Sequence, residues 1–538
     1  MVVIRDNSEF LAERFGNNFV DRLQKYASVI GFSVEIDSGT VKVEFNPDRP
    51  DLFSFYSLEY SMNIFDLVTS PEILTLEDSD FDVHIGAKAL SIRPYFLSLI
   101  ATGLRLGDSL PRIIEYQERL HETIGRERQA ASIGIHSLEE SCKAVSYSLK
   151  KSDSVTLRTF DGAMNGTARE ILNEHPLGKK YGDLLPSQEF INVIEDRNGK
   201  VMSIPPISNS YDTRITEDST RLFIDIEGTD RKSVFQSFFL LAYELKYIGY
   251  SISVPRFHGI DKKIITELVA ENGREVKFSY DDIARVLGFE PPEDSISEAL
   301  RKMGYIVTPS YNGYVTTLPG NRVDVMGAVD VIEDIAKGIG YDQIPFSEIP
   351  VQTLGTSHKT DELTGIACQL LIGSGYQEVK SFVVGPQMPF SFLKYRGDVT
   401  LLNPKSSDFS VVRDRLFVNM MEIIKQNRRR PMPQKIFEIG EVVEHGRQKT
   451  HLCFMIHGSR APFSAAKQVL EYVILRLSGG STEIRPNDED GLVTGRSGDI
   501  MLDGQVIGFI GEMHPALLEL YGIQDPVSLA EIDLSMIA

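Results

Sequence analysis

SYDDIARVLGFEPPEDSISEALRKMGYIVTPSYNGYVTTLPG, Ser279 to Gly320, is the stretch from which the rest of the chain can be ordered. Ser279 has the chemistry of an N-cap, Ile283, Val286 and Leu287 share one helical face, and Gly288 suits a C-cap, so a helix is predicted between them. The next segment repeats the plan. Ser295 with Glu298 three residues later reads as a capping box, and Gly304 ends that helix. Asn312-Gly313 between two β-prone runs is a strong hairpin signal. A third helix is predicted over about 328–338.

Helix, helix, hairpin is the order of a winged-helix-like module, here spanning 265–347. On its N-terminal side, FVDRLQKYASVIGF predicts a helix with Phe19, Leu23, Tyr26 and Ala27 near helical spacing. VEIDSGTVKVEF predicts a hairpin turning at Ser38-Gly39. In NPDRPDLFS, Asn46 to Ser54, two prolines stop the strand and Asn46 or Asp51 can cap the next element. These belong to a module over 1–88. From 89 to 262, apolar strands (SLIATGLRL, AVSYSL, FINVI, RLFIDIEG) alternate with polar turns and amphipathic helices, which predicts an α+β domain with much antiparallel sheet. Residues 112–130, rich in Arg and Glu, read as a solvated helix, and VFQSFFLLAYELKYIGY as a buried closing helix ending near Gly249. From 350 to 538, SAAKQVLEYVILRLSGG places Val469, Leu470, Val473, Ile474 and Leu477 on one helical face. HLCFMIHG, QKIFEIGEVV and GQVIGFIGEM predict a largely antiparallel sheet. Pro/Gly-rich joints near 254–260 and 345–355 are the expected boundaries. The fold class is therefore multidomain α+β.

Composition agrees. At 538 residues the chain has room for about three or four domains. Its 42% hydrophobic and 25% charged residues are ordinary globular values, which exclude disorder, collagen and coiled coil as its main character. Cys142, Cys368 and Cys453 are too few for a disulfide framework and too dispersed for a zinc motif, so a reducing cytoplasm is the expected setting. Fifty-six basic against 76 acidic residues leave a net charge of −20, which opposes non-specific nucleic-acid binding by the chain as a whole. MVVIRDNSEF lacks a signal-peptide pattern, and the most apolar run, Val234 to Leu245, is too short to span a bilayer.

Three constellations could carry chemistry. In NRVDVMGAVDVIEDIAKGIGYD, Asp330, Glu333 and Asp334 stand at i, i+3 and i+4, and Asp324 precedes them at the turn into the helix. Like charges at this spacing repel unless neutralised, and oxygen ligands suit a hard cation such as Mg²⁺; a solvated acidic face is the competing reading. Lys425, Arg428, Arg429 and Arg430, followed by Pro431, form a basic run that suits phosphate, an acidic partner surface or simply a solvated helix end. The third is a scatter of polar residues: His136, Glu174-His175, Asn209, Asp225 and Glu227. They could position water on an ester, but their spacing fits no triad or metal motif, and structural roles compete for each. His451, His457 and His514 also fit no ligand pattern. No Walker loop, G-x-S-x-G or H-E-x-x-H occurs.

These strings together resemble the β subunit of phenylalanine–tRNA ligase in its archaeal/eukaryotic form, over essentially the whole chain. FNPDRPDLFS is similar to the family's N-terminal signature. SIGIHSLEE, EHPLGKKYG and PPISNS look like its editing domain of B3/B4 type, at 89–262. RVDVMGAVDVIEDIAKGIGYDQIP is close to the signature of its B5 domain, at 265–347. LLNPKSSDFSVVRDRL, QKIFEIGEVV and GEMHPALLELYGI look like its class II synthetase-like C-terminal module, at 350–538.

The resemblance implies a subunit of an α2β2 ligase whose α subunit carries the ATP site and joins phenylalanine to tRNA(Phe). Class II cores use an arginine in a late strand–helix motif to hold ATP. Here Met513, His514 and Pro515 stand in that region without one, so no adenylation site is expected in this chain. The resemblance assigns Mg²⁺, shared with α, to Asp324, Asp330, Glu333 and Asp334. It makes His136, Asn209 and Asp225 the editing candidates, with Asp225 at the domain's acidic position, and leaves Arg428, Arg429 and Arg430 for tRNA or the subunit interface. Editing has a physical reason: a hydrophobic pocket rejects an added hydroxyl only on the order of a hundredfold, so tyrosine must be removed at a second site. Two other readings remain, a free-standing aminoacyl-tRNA deacylase and a non-catalytic binding scaffold.

Overall fold

The computed structural model describes residues 2–346, 348, 353–387 and 399–537. They form two compact units that divide between Glu348 and Ile349. The joint expected near 345–355 lies partly outside the described residues. No helix among the described residues is long and apolar enough to cross a membrane.

The first unit holds three principal sheets. A three-stranded one orders Val2–Asn7, Thr40–Phe45 and Ser33–Asp37, with the hairpin turning at Ser38 and Gly39, both at positive φ. The first strand had no alternation to announce it and exists because Val2 and Ile4 join the hydrophobic core while the strand pairs with Thr40–Phe45. A nine-stranded sheet follows the order Ser208–Asn209, Val201–Ile204, Phe190–Asp196, Ala144–Lys151, Glu77–Ile85, Ser251–His258, Tyr95–Thr102, Arg221–Gly228 and Ala131–Ser137. It is mixed rather than purely antiparallel, since Glu77–Ile85 runs parallel to both its neighbours. That strand precedes the expected boundary at 88/89 yet sits at the centre of this sheet. The joint expected near 254–260 is likewise mostly strand: Pro255 falls where the register slips between Val254 and Arg256, the irregularity at which a sheet tolerates proline.

Alternation along Arg221–Gly228 positions the site. Leu222, Ile224 and Ile226 share one face with Leu97, Leu99, Ile133 and Ile135, and this face buries against the helix Arg231–Ile248. Phe223, Asp225 and Glu227 therefore point to the opposite face, with Gly134 and His136. The Arg/Glu-rich segment is only half the helix expected. Leu110–Glu122 is helical and buries Ile113, Tyr116, Leu120 and His121, whereas Arg126, Glu127 and Arg128 take successive positive φ angles. Each such residue costs on the order of 1–3 kcal/mol, and the turn is held by the bonds Arg128 makes.

The winged-helix-like segment opens inside a helix the sequence reading did not predict, Lys262–Glu271, and then carries Tyr280–Leu287, Glu293–Lys302 and Ala328–Ile339. Ser279 and Asp282 form the capping box of Tyr280–Leu287, and Gly288 is its left-handed C-cap. The next helix begins after Pro292, two residues before the expected cap. Ser295 and Glu298 therefore lie inside it, and Glu293 and Asp294 occupy the first turn. An unanticipated strand, Arg274–Ser279, joins the expected hairpin, Ile306–Ser310 and Gly313–Leu318, as a three-stranded sheet.

The second unit is a seven-stranded sheet ordered Gln377–Glu378, Gln434–Glu444, Arg447–His457, Val527–Asp533, Gln505–Met513, Leu492–Leu502 and Glu483–Pro486. All pairings are antiparallel except the first. The helix Phe463–Ser478 packs Leu470, Val473 and Ile474 on one face with Lys359–Gly373 beside it; Leu416–Gln426 and Pro515–Leu520 cover the other. Two buried ionic groups are paired in its core. Arg413 meets Glu438 at 2.8 Å, and Glu531 accepts from the Leu416 and Phe417 amides at 2.9 and 3.0 Å and lies 2.9 Å from His451.

One buried carboxyl in the first unit has a measurable consequence. Glu244, 1% exposed, accepts from Ser54 Oγ at 2.6 Å through one oxygen only. Burial pushes its pKa up to about 7 against the opposing pull of that bond and of Arg119. A carboxyl whose folded value is raised costs stability as pH climbs past its ordinary value toward the folded one. The stability advantage of Glu244→Gln over the natural chain is therefore expected to grow by about 2 kcal/mol between pH 5 and pH 8. Denaturant melts at both pH values check this, and a constant difference would refute the assignment.

Candidate functional site

Asp225 and Gly134 are cross-strand partners, and His136 lies two residues along the same face. A Cβ on Gly134 would fall 2.9 Å from Asp225 Cγ and closer still to Oδ1, so only glycine leaves the carboxylate its place. His136 Nε2 lies 2.9 Å from Asp225 Oδ1, and its Nδ1 lies 3.0 Å from Thr213 Oγ1. Both His136 and Asp225 are buried, at 0% and 1% exposure. The second Asp225 oxygen has no hydrogen-bond partner among the described residues, and Asp225 lines a cavity of about 220 Å³.

Phe160, Leu177, Ile207 and Ile215 give that cavity apolar walls, and Asn209 lines it too. About 150 Å³ of apolar cavity holds a benzene ring, so an aromatic side chain fits. Three sequence candidates, His136, Asn209 and Asp225, thus meet at one place. Glu174-His175 is structural instead: His175 accepts from the Leu177 amide at the start of a helix and bonds Asp161. Sequence reading missed Arg128, whose guanidinium donates to the Pro206 and Ile207 carbonyls and pairs with Glu118 at 3.1 Å. Burial alone would raise Glu118, but bonds and charges from His121 and Arg128 bring it down to about 2. A carboxylate with a free oxygen at an apolar cavity can hold water and accept its proton.

The acidic cluster is dispersed. Arg322 donates to Asp324 through Nε and Nη2 at 3.0 and 2.9 Å, and to Asp334 at 2.5 Å. Tyr305 OH donates to Asp334 at 2.7 Å. Burial would raise the Asp324 carboxyl, but Arg322, then Arg49, hold it at about 2. Asp330 caps its helix, accepting from the Met326 and Gly327 amides, and Glu333, exposed, pairs with Lys337. Among the described residues no three His, Cys, Asp or Glu side chains gather to hold a metal. Within this chain the four carboxylates do not gather: Asp324 and Asp334 pair with the buried Arg322, and Asp330 and Glu333 are engaged along the helix. Arg322, beside Asp324 in sequence, was the available signal. Arg428, Arg429 and Arg430 are exposed on the turn after Leu416–Gln426.

Comparison with known proteins matches two segments of the chain. The profile described as "tRNA synthetase B5 domain" matches residues 276–341, and that described as "Phenylalanyl tRNA synthetase beta chain CLM domain" matches 344–534. The phenylalanine–tRNA ligase β subunit of Thermoplasma acidophilum is 38% identical over 542 residues, covering 100% of this chain and 98% of its own length. That of Thermoplasma volcanium is 37% identical over 99% of this chain and 98% of its own. The chain belongs to the phenylalanine–tRNA ligase β-subunit family. An N-terminal fragment of the phenylalanyl-tRNA synthetase β subunit from Pyrococcus horikoshii superposes with a TM-score of 0.57 at 25% identity, covering 63% of this chain and all of the fragment. Two of the family-like strings meet in space: Arg49 of NPDRPD pairs with Asp51 at 2.8 Å and approaches Asp324 of RVDV at 3.8 Å.

Proposed function

We propose that this chain is the β subunit of a phenylalanine–tRNA ligase, an aminoacyl-tRNA synthetase component that works as α2β2. The α subunit binds ATP and joins phenylalanine to tRNA(Phe); this chain completes the assembly, binds the tRNA and hydrolyses mischarged tyrosyl-tRNA. The similarity to family members from end to end carries the reading. A class II-like but inactive module at 350–538 is supported by Met513, His514 and Pro515 at the strand–helix junction and by helices on both sheet faces. An editing domain at 89–262 is supported by the cavity. Its apolar walls take the aminoacyl ring, and Asp225 holds the water that attacks the ester carbonyl, accepts its proton and returns it to the ribose oxygen as the acyl C–O bond breaks, freeing tyrosine and the tRNA hydroxyl. The segment 265–347 serves as the B5 domain.

Purified alone, the chain is expected to show no phenylalanine-dependent ATP–pyrophosphate exchange, and adding α restores exchange and aminoacylation. Exchange by the isolated chain would overturn this division of labour. One observation favours a second reading, a free-standing deacylase: the cavity is lined wholly by residues 114–225. Full-rate hydrolysis of tyrosyl-tRNA by the chain in cells lacking any α partner would select it.

A further inference from the structure

The mouth of the cavity carries a group of side chains that ester hydrolysis at Asp225 does not use. Phe160 lines the cavity yet is 50% exposed. Beside it the guanidinium carbons of Arg214 and Arg158 lie over the Tyr211 ring, 3.6 and 4.0 Å from its centroid. Neither arginine forms an ion pair among the described residues, although the chain carries a net charge of −20. Arg214 Nη1 donates only to the Tyr211 carbonyl, at 2.9 Å. The acidic residue of the Phe160 loop, Asp161, is turned to Thr159, the Ala163 amide and His175 instead. Gly162, at positive φ, lets that loop pass close: a Cβ there would fall 2.9 Å from Arg158 and 3.3 Å from Tyr211. Arg214 also borders a second cleft of about 490 Å³, whose Arg197 and Lys200 are balanced by Glu139, Asp196 and Asp212, so the platform's positive charge rests on Arg158 and Arg214. Planar aromatic faces beside uncompensated guanidiniums match a single-stranded nucleic acid, whose bases stack and whose phosphates pair.

We propose that Phe160, Tyr211, Arg158 and Arg214 form a platform that seats the single-stranded 3′ end of a tRNA and delivers its terminal ester to the cavity at Asp225. This rests on the editing reading for its purpose, but not for its binding chemistry. The platform supplies stacking surface and phosphate contacts; Asp225 alone touches the reacting water.

The test uses the assembled αβ complex. Arg158→Gln with Arg214→Gln is expected to raise the KM for hydrolysis of tyrosyl-tRNA about tenfold or more, with kcat changed less than threefold. The slope of log affinity against log salt should become shallower by about 1.4, two single-strand phosphate contacts. The Arg→Lys pair keeps the charge and should recover the salt slope but only part of the KM. Unchanged KM and slope in the Gln pair overturn the proposal. In a second arm, 2-aminopurine replaces the terminal adenine of uncharged tRNA. Its fluorescence should be quenched by the unaltered complex and restored by Phe160→Leu with Tyr211→Leu. A complex that hydrolyses nothing but still quenches the probe retains the platform and rejects editing; a complex that does not quench it rejects the platform.

Discussion

Replacing Asp225 by asparagine is expected to slow hydrolysis of tyrosyl-tRNA by the assembled complex at least a hundredfold in kcat, with little change in KM. The magnitude comes from the contribution of a positioned proton acceptor, typically about 10² to 10⁴ in rate. The geometry makes Asp225 the group with most to lose. It is 1% exposed, one oxygen is taken by His136, and the other has no protein partner among the described residues. Asparagine preserves the shape and the His136 contact while removing the proton acceptor. Gly134→Ala should lower the same rate by another route, because its Cβ would collide with the Asp225 carboxylate and displace it. Single-turnover hydrolysis of tyrosyl-tRNA measures both. A kcat for Asp225→Asn within threefold of the natural complex would remove Asp225 from the chemistry and leave the cavity as a binding feature.

Arg322→Met is expected to cost about 3–5 kcal/mol of stability, the effect of removing one partner from a buried ion pair. Arg322 is the shared counter-ion of Asp324 and Asp334, whose side chains are 15% and 6% exposed, and it also donates to the Met303 carbonyl at 2.6 Å. Methionine would leave both carboxylates without their main partner. Adding Asp324→Asn and Asp334→Asn to Arg322→Met should return part of the loss, since the uncompensated charges go with them. Exposed Glu333→Gln, which breaks a surface pair with Lys337, should cost about 0.5 kcal/mol or less. Urea denaturation of these variants beside the natural chain gives the comparison. Loss of less than about 1 kcal/mol in Arg322→Met would mean the two aspartates are compensated by another group, and would reopen them as ligands of a cation.

Much of this molecule was legible without coordinates because its signals are local. Ser279, Asp282 and Gly288 act on backbone groups within a turn, so the helix Tyr280–Leu287 is capped as the sequence says. The hairpin that Asn312-Gly313 announced forms one residue out of register with that signal: Tyr311 and Asn312 make the turn, and Gly313 already pairs with Ser310. Local rules failed where two of them competed. Pro292 started a helix before Ser295 could cap it. No glycine or asparagine announced the left-handed Arg126, Glu127 and Arg128, whose conformation depends on distant partners of Arg128.

The site was legible only as separate residues. His136 and Asp225 are 89 positions apart, and nothing in either string sets the register that makes Gly134 the partner of Asp225. That register depends on which strand faces bury against the helix Arg231–Ile248, a property of the whole sheet. The acidic helix shows the converse. Its spacing placed three carboxylates on one face, but tertiary packing brought Arg322 and Tyr305 to Asp334 and turned Asp330 to the backbone. The sequence by itself determined the capped helices, the hairpins, the charge balance and the family signatures, because capping, periodicity and composition act within a few residues. Tertiary structure alone decided which carboxylates are neutralised and which one faces a cavity, because burial and electrostatic pairing depend on groups brought together from distant parts of the chain.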